Sequence, residues 1–137
     1  MRDKGRERIA LILTMARILL VDDEPGLRQY LRMLLEEAGY EVVEARDGIE
    51  AQQASRSRSI DLLVTDLVMP NKEGIDLIQS LHKSQNGLKI IAMSGAANGR
   101  YLTMARMLGA DAVLAKPFSA EKLLATAAGL LGSSPKQ

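Results

Sequence analysis

Five polar side chains able to handle a phosphoryl group and a metal ion each follow a short apolar run. Asp22 and Asp23 follow Ile18 to Val21, Asp66 follows Leu62 to Thr65, Ser94 follows Lys89 to Met93, and Lys116 follows Ala112 to Ala115. If each run is a parallel strand, all five groups surface at one carboxyl edge, where open α/β sheets hold their ligands. Three carboxylates gathered there repel one another unless a cation relieves them. Mg2+ suits that task, because it takes oxygen ligands, keeps several waters and commonly binds one or two carboxylates together with a phosphate. A carboxylate beside such an ion can attack phosphorus as a nucleophile. Lys116 and the metal would then neutralise the charge gathering on the phosphoryl oxygens, and the Ser94 hydroxyl is a short donor for one of them. Taken singly, each residue has an ordinary reading: Asp22-Asp23 as a solvated loop or cap, Asp66 as a turn residue before Met69-Pro70, Ser94-Gly95 as a turn, Lys116 as an exposed charge. Their shared position relative to their strands favours a site.

The elements that must position these groups are legible as an alternation of apolar runs and helical patterns, the signature of βαβ units and a mostly parallel sheet. Strands are predicted over Arg17 to Val21, Glu41 to Ala45, Ile60 to Thr65, Leu88 to Met93 and Ala112 to Ala115. The third is nearly all apolar, as a central strand covered on both faces should be. The first helix starts near Pro25, buries Leu27, Leu31, Leu34, Leu35 and Ala38, and ends at Gly39. Asp47 caps a second helix through about Ser55 with Ile49, Ala51 and Ala54 inward, and Arg56 to Ser59 reads as a loop. After the turn Met69-Pro70-Asn71 a third helix carries Ile75, Ile78 and Leu81 to about Ser84, and Asn86-Gly87 turns into the next strand. A fourth spans Asn98 to Leu108, closed by Gly109. Ser119 caps the last, through about Leu131, with Leu123, Leu124, Ala127 and Leu131 inward.

Composition narrows the classes. The 137 residues fit one domain able to bury a core, and 18 Lys and Arg against 17 Asp and Glu give no global field for nucleic acid or an anionic membrane. The absence of Cys excludes disulfides, thiolate catalysis and thiolate metal sites, and the lone His82, read as a surface residue, cannot build a His-rich one. No apolar stretch approaches the roughly 20 residues of a membrane span, and Arg17 followed at once by a strand argues against signal-peptide cleavage. A cytoplasmic location is the expectation. Residues 1–15 read as an N-terminal extension, in which Arg6 to Thr14 would form a helix with Ile9, Leu11, Ile12 and Leu13 on its apolar side, residues 16–131 as the domain, and residues 132–137 as a tail.

Ile18-Leu19-Leu20-Val21-Asp22-Asp23-Glu24-Pro25, Asp61 through Pro70, Gly74, Met93-Ser94-Gly95-Ala96, Gly109-Ala110-Asp111-Ala112 and Ala115-Lys116-Pro117-Phe118 occur in order across Ala16 to Leu131. On these segments the chain resembles a response regulator receiver domain, the phosphorylation module of two-component signalling. The resemblance implies a doubly wound α/β fold with five parallel strands in the flavodoxin-like order 2-1-3-4-5 and helices on both faces. It implies Asp66 as phosphoacceptor and Asp23 and Asp66 as direct Mg2+ ligands with the Val68 backbone carbonyl, Asp22 acting through water. Ser94 and Lys116 would contact the aspartyl phosphate, and the Lys116-Pro117 peptide would be cis.

The family carries an aromatic at the position of Val113, which here is small and β-branched, so the loop after Ser94 and the fourth helix are left to report the phosphorylated state. Tyr101, near there, reads as surface packing. Val68 and Ala96, at positions that tune lifetime in the family, cannot hydrogen-bond an attacking water, which implies slow self-dephosphorylation. The function implied is a stand-alone receiver, not an enzyme in the ordinary sense, with a histidine kinase or histidine phosphotransfer protein as donor, a downstream protein target, and a homodimer as an option. On this reading no DNA-binding or catalytic output domain is expected after Leu131. The competing readings are a Mg2+-dependent phosphohydrolase, which would need a general acid where Val68 stands, a nucleotide switch, for which no Gly-x-x-x-x-Gly-Lys-Ser/Thr loop occurs, and a docking module that takes no phosphate.

Overall fold

A computed structural model describes residues 15–67, 73–95 and 100–132, with the backbone alone at 73 and 100–102. Among these residues five strands alternate with five helices: β1 (Arg17–Val21), α1 (Pro25–Glu37), β2 (Glu41–Ala45), α2 (Gly48–Ser57), β3 (Leu62–Asp66), α3 (Glu73–Ser84), β4 (Lys89–Ser94), α4 (Arg100–Leu108), β5 (Ala112–Ala115) and α5 (Ala120–Leu131). The strands form one sheet in the order β2-β1-β3-β4-β5, every pair parallel. This is the flavodoxin-like α/β arrangement expected of the chain.

Two-residue periodicity divides the strands between two cores. Leu19, Val21, Leu63, Ile90 and Ala92 face α2, α3 and α4, packing on Ala51, Leu77, Ile78, Leu81 and Ala105. Ile18, Leu20, Leu62, Val64, Ile91, Met93 and Leu114 face α1 and α5, packing on Leu31, Leu35, Leu123 and Ala127. Burial on both faces explains why the central strands read as unbroken apolar runs.

Local chemistry sets the helix ends. Pro25 opens α1, and Gly39 leaves it with φ 103°, a conformation that costs a residue with a Cβ. Asp47 accepts from the Glu50 amide at 2.9 Å, and Ser119 accepts from the Lys122 amide at 3.1 Å, so both expected caps form. Gly109 follows α4 with φ 124° and Gly132 ends α5 with φ 65°. His82, exposed on α3, leaves no room for a side chain at Gly109, since a Cβ there would meet its ring at 2.5 Å.

Several expectations shift. The third strand runs from Leu62 to Asp66 rather than Ile60 to Thr65; Ile60 is apolar because it is buried beside the ladder, not because it belongs to it. The fourth runs from Lys89 to Ser94. Arg56 and Ser57 finish α2 instead of forming a loop, the Ser57 hydroxyl bonding back to the Gln53 carbonyl at 3.1 Å. Ile49 is 67% exposed rather than inward, since it lies two residues, about 200° of helix, from the buried Ala51. Ala38, the C-cap of α1, is exposed too. The start of α4 at Asn98, the turn Met69-Pro70-Asn71 and the segment Arg6 to Thr14 lie outside the described residues, as does the Tyr101 side chain. Among the described residues no helix is long and apolar enough to cross a membrane.

A charged cluster ties α1 to β2. The Glu44 carboxylate accepts from Arg28 Nε at 2.8 Å and from Arg32 Nη1, and Arg32 Nε also donates to Glu36 at 2.8 Å. Chiefly through the Arg32 hydrogen bond, which together with Arg28 outweighs the opposing effect of burial, Glu44 is held below the ordinary carboxylate value of 4.5. A depressed folded-state pKa contributes stability above the unfolded value that is lost as pH falls through the folded one. The stability difference between wild type and Glu44→Gln, measured by thermal unfolding across pH, is therefore expected to be largest above pH 4.5 and to vanish in acid, at about 1 kcal/mol because the cluster is partly solvated.

Candidate functional site

The parallel register delivers the polar residues to one edge. Val21 pairs with Thr65, so Asp22 and Asp66 stand side by side just past that pair. Ser94 pairs with Ala115, which sets Lys116 one residue beyond Ser94, and the Lys116 amide donates to the Ser94 carbonyl at 2.8 Å. The Lys116-Pro117 peptide is cis, as expected.

Asp22 and Ser94 are fully buried, Asp66 nearly so, and Asp23 is exposed at the rim. Carboxylate oxygens of Asp22, Asp23 and Asp66 all lie within 4.8 Å of one another. Lys116 Nζ donates to Asp22 Oδ2 at 3.1 Å and to Asp66 Oδ2 at 3.3 Å. Burial is the largest single influence on Lys116 and lowers its pKa, but the Asp66 and Asp22 charges and their hydrogen bonds together outweigh it. The ammonium is held above its ordinary value of 10.5. The lysine therefore stays charged at any physiological pH.

Backbone contacts hold the acids in place. The Asp22 amide donates to the Ala45 carbonyl at 3.2 Å, and the Glu24 amide donates to Asp22 Oδ1 at 2.9 Å. Thr65 Oγ1 donates to the Asp66 carbonyl at 3.0 Å, and the Leu67 amide to the Met93 carbonyl at 2.9 Å. Gly74, in the first turn of α3, allows that helix to lie against the Asp66 backbone: a Cβ there would stand 2.1 Å from the Asp66 carbonyl oxygen and 2.7 Å from Leu67 Cα. Sequence reasoning noted Gly74 without this reason, and missed Arg28, which touches the Asp22 carbonyl.

Three carboxylates grouped this closely repel one another, and a ligand set made only of oxygen suits a hard divalent cation. Mg2+ fits this donor set. Val68, whose carbonyl is expected to contribute, and Ala96 lie outside the described residues. Val113 is half-buried on β5, in register with Ala92.

Comparison with known proteins agrees with this geometry. Residues 18–128 match the family described as the response regulator receiver domain. The chain is 36% identical over 115 residues to the response regulator MprA of Mycobacterium ulcerans, covering 84% of this chain and 50% of that protein. It is 35% identical over 111 residues to the CAI-1 autoinducer sensor kinase/phosphatase CqsS of Vibrio cholerae, covering 79% of this chain and 16% of that protein. It thus spans half or less of the length of these curated relatives. Among solved structures, a CheY-like receiver domain protein from Methanospirillum hungatei superposes with a TM-score of 0.82 at 30% identity, over 89% of this chain and 98% of that one. The response regulator TrrA of Thermotoga maritima, solved in complex with Mg2+ and BeF, superposes with a TM-score of 0.77 at 33% identity, over 85% and 99% of the two chains. An acidic cluster at a sheet edge, a lysine bridging two of its members, and a family match over most of the chain lead to one conclusion: this chain belongs to the response regulator receiver domains, Mg2+-dependent phosphoacceptor modules of two-component signalling.

Proposed function

We propose that the chain accepts a phosphoryl group on Asp66 from a histidine kinase or a histidine phosphotransfer protein, and that the aspartyl phosphate switches its binding to a partner protein. The observation that carries this reading is the Asp66 carboxylate placed among two further acids with the Lys116 ammonium 3.3 Å away. An Asp66 oxygen attacks phosphorus, a P–O bond forms as the bond from phosphorus to the donor's imidazole nitrogen breaks, and that nitrogen takes up a proton from solvent. Lys116 and the Ser94 hydroxyl meet the phosphoryl oxygens where negative charge collects. Asp23 and Asp66, with the Val68 carbonyl, would hold Mg2+ directly and Asp22 through water; when bound, the ion neutralises phosphoryl charge. In this reading residues 16–131 form the receiver, with residues 1–15 as an extension and 132–137 as a tail, and it acts in the cytoplasm as a stand-alone unit.

Beryllofluoride with Mg2+, a stand-in for the phosphoryl group, tests the switch. Backbone amide resonances around Ser94, Lys116 and α4 are expected to shift in wild type and to stay still in Asp66→Ala. A spectrum unchanged in wild type at saturating Mg2+ would sink the switching role. Neither Val68 nor Ala96 offers a side-chain hydrogen bond to water, so the acyl phosphate is expected to be long-lived. Val68→Asn is expected to shorten its half-life, measured by loss of the phosphorylated mass after donor removal; an unchanged half-life would show that the side chain at position 68 does not set the lifetime.

A further inference from the structure

We propose that Arg28 is a positioning residue for the acidic site: its guanidinium, clamped by Glu44 on β2, holds the Asp22 main-chain carbonyl and so fixes the turn that presents Asp22 and Asp23. This inference rests on the reading of those two acids as Mg2+ groups. Arg28 Nη1 donates to the Asp22 carbonyl oxygen at 2.6 Å, and its Nε donates to Glu44 Oε1 at 2.8 Å. One planar side chain therefore spans from the last residue before the exposed Asp23 to the neighbouring strand.

The physical case lies in the fork. A guanidinium can hold two acceptors at a fixed separation and angle, whereas an ammonium is a point donor on a flexible stem. Charge-assisted bonds of this kind are about twice as strong as neutral ones. Asp22 is held at its other atoms as well, by Ala45 at its amide and by Glu24 and Lys116 at its carboxylate. Arg28 supplies the restraint on the carbonyl, the atom that leads directly into Asp23. Asp23 is exposed, so a fixed main chain matters most for its aim. Mg2+ demands near-ideal octahedral geometry, which makes its affinity sensitive to small errors in that aim.

The test is a calorimetric Mg2+ titration of wild type, Arg28→Met, Arg28→Lys and Arg32→Met, with phosphorylation by acetyl phosphate measured across Mg2+ concentrations. Arg28→Met is expected to bind Mg2+ about tenfold more weakly, in line with other residues that orient metal ligands. Its phosphorylation rate should return toward the wild-type value at saturating Mg2+, since the residue orients the ligands and touches no reacting atom. Arg32→Met breaks the Glu44 cluster from its other side without touching Asp22, and should bind Mg2+ as wild type does. Arg28→Lys should fall between wild type and Arg28→Met, and carries the test if the methionine variant does not fold. Wild-type affinity in both Arg28 variants would overturn the proposal, as would equal weakening in Arg32→Met, which would mark a general loss of stability. A wild type that takes no Mg2+ would instead overturn the site reading itself, and this inference with it.

Discussion

Lys116→Met is expected to slow phosphorylation of Asp66 by about 100-fold or more while tightening Mg2+ binding, two changes of opposite sign from one substitution. In the resting protein the ammonium lies 3.1 Å from Asp22 and 3.3 Å from Asp66, where it partly satisfies the carboxylates that a divalent ion would bind. Removing it takes a positive charge away from the acids, and a divalent ion is the natural replacement. The phosphoryl group, however, brings oxygens that need a donor on the side the metal does not occupy. Methionine matches the lysine stem in length and polarity, so the packing of that stem is largely kept. Calorimetry for the ion and intact mass for the phosphoryl adduct read the two effects separately. A variant phosphorylated at the wild-type rate would remove Lys116 from the chemistry.

Gly74→Ala is the second large effect, and it acts through backbone. Its methyl group would meet the Asp66 carbonyl at 2.1 Å and Leu67 Cα at 2.7 Å, and neither atom belongs to a side chain that can swing away. Either α3 shifts outward, opening its packing through Ile78 and Leu81, or the end of β3 moves and takes Asp66 with it. Overpacking against immovable atoms costs about 3 kcal/mol, on the order of 10 °C in melting temperature for a domain of this size. Phosphorylation should fall even at temperatures where the variant stays folded, because the nucleophile's carbonyl is the nearest atom. A melting temperature equal to that of wild type would show that the close approach does not constrain the fold.

How much of this was legible in the sequence depends on whether a feature is local. Strands β1, β2 and β5 have the expected bounds because turn residues sit directly against their apolar runs. The edge of β3 was misplaced because burial and strand pairing are different properties, and Ile60 has the first without the second. Ile49 was misassigned because a short helix with few apolar residues has no clear stripe, and its direction is set by what Ala51 and Ser55 bury. The acids, Ser94 and Lys116 were legible since each marks the end of its own strand, and parallel register carries them together. Arg28 was not: it lies on the same side of α1 as the buried Leu31 and Leu35, and nothing local shows that its partner is Glu44, 16 residues away on β2. The need for glycine at position 74 likewise arises only when α3 packs against the end of β3.

Phosphorylation of Asp66 with the help of Mg2+ is the step on which the proposed function stands. The most direct measurement is the intact mass of wild type and Asp66→Ala after incubation with acetyl phosphate, each with Mg2+ and with the ion chelated. A single phosphoryl adduct is expected on wild type in Mg2+, little without the ion, and none on Asp66→Ala. An adduct of equal yield on Asp66→Ala, or none on a wild type shown to have bound Mg2+, would contradict phosphorylation at Asp66.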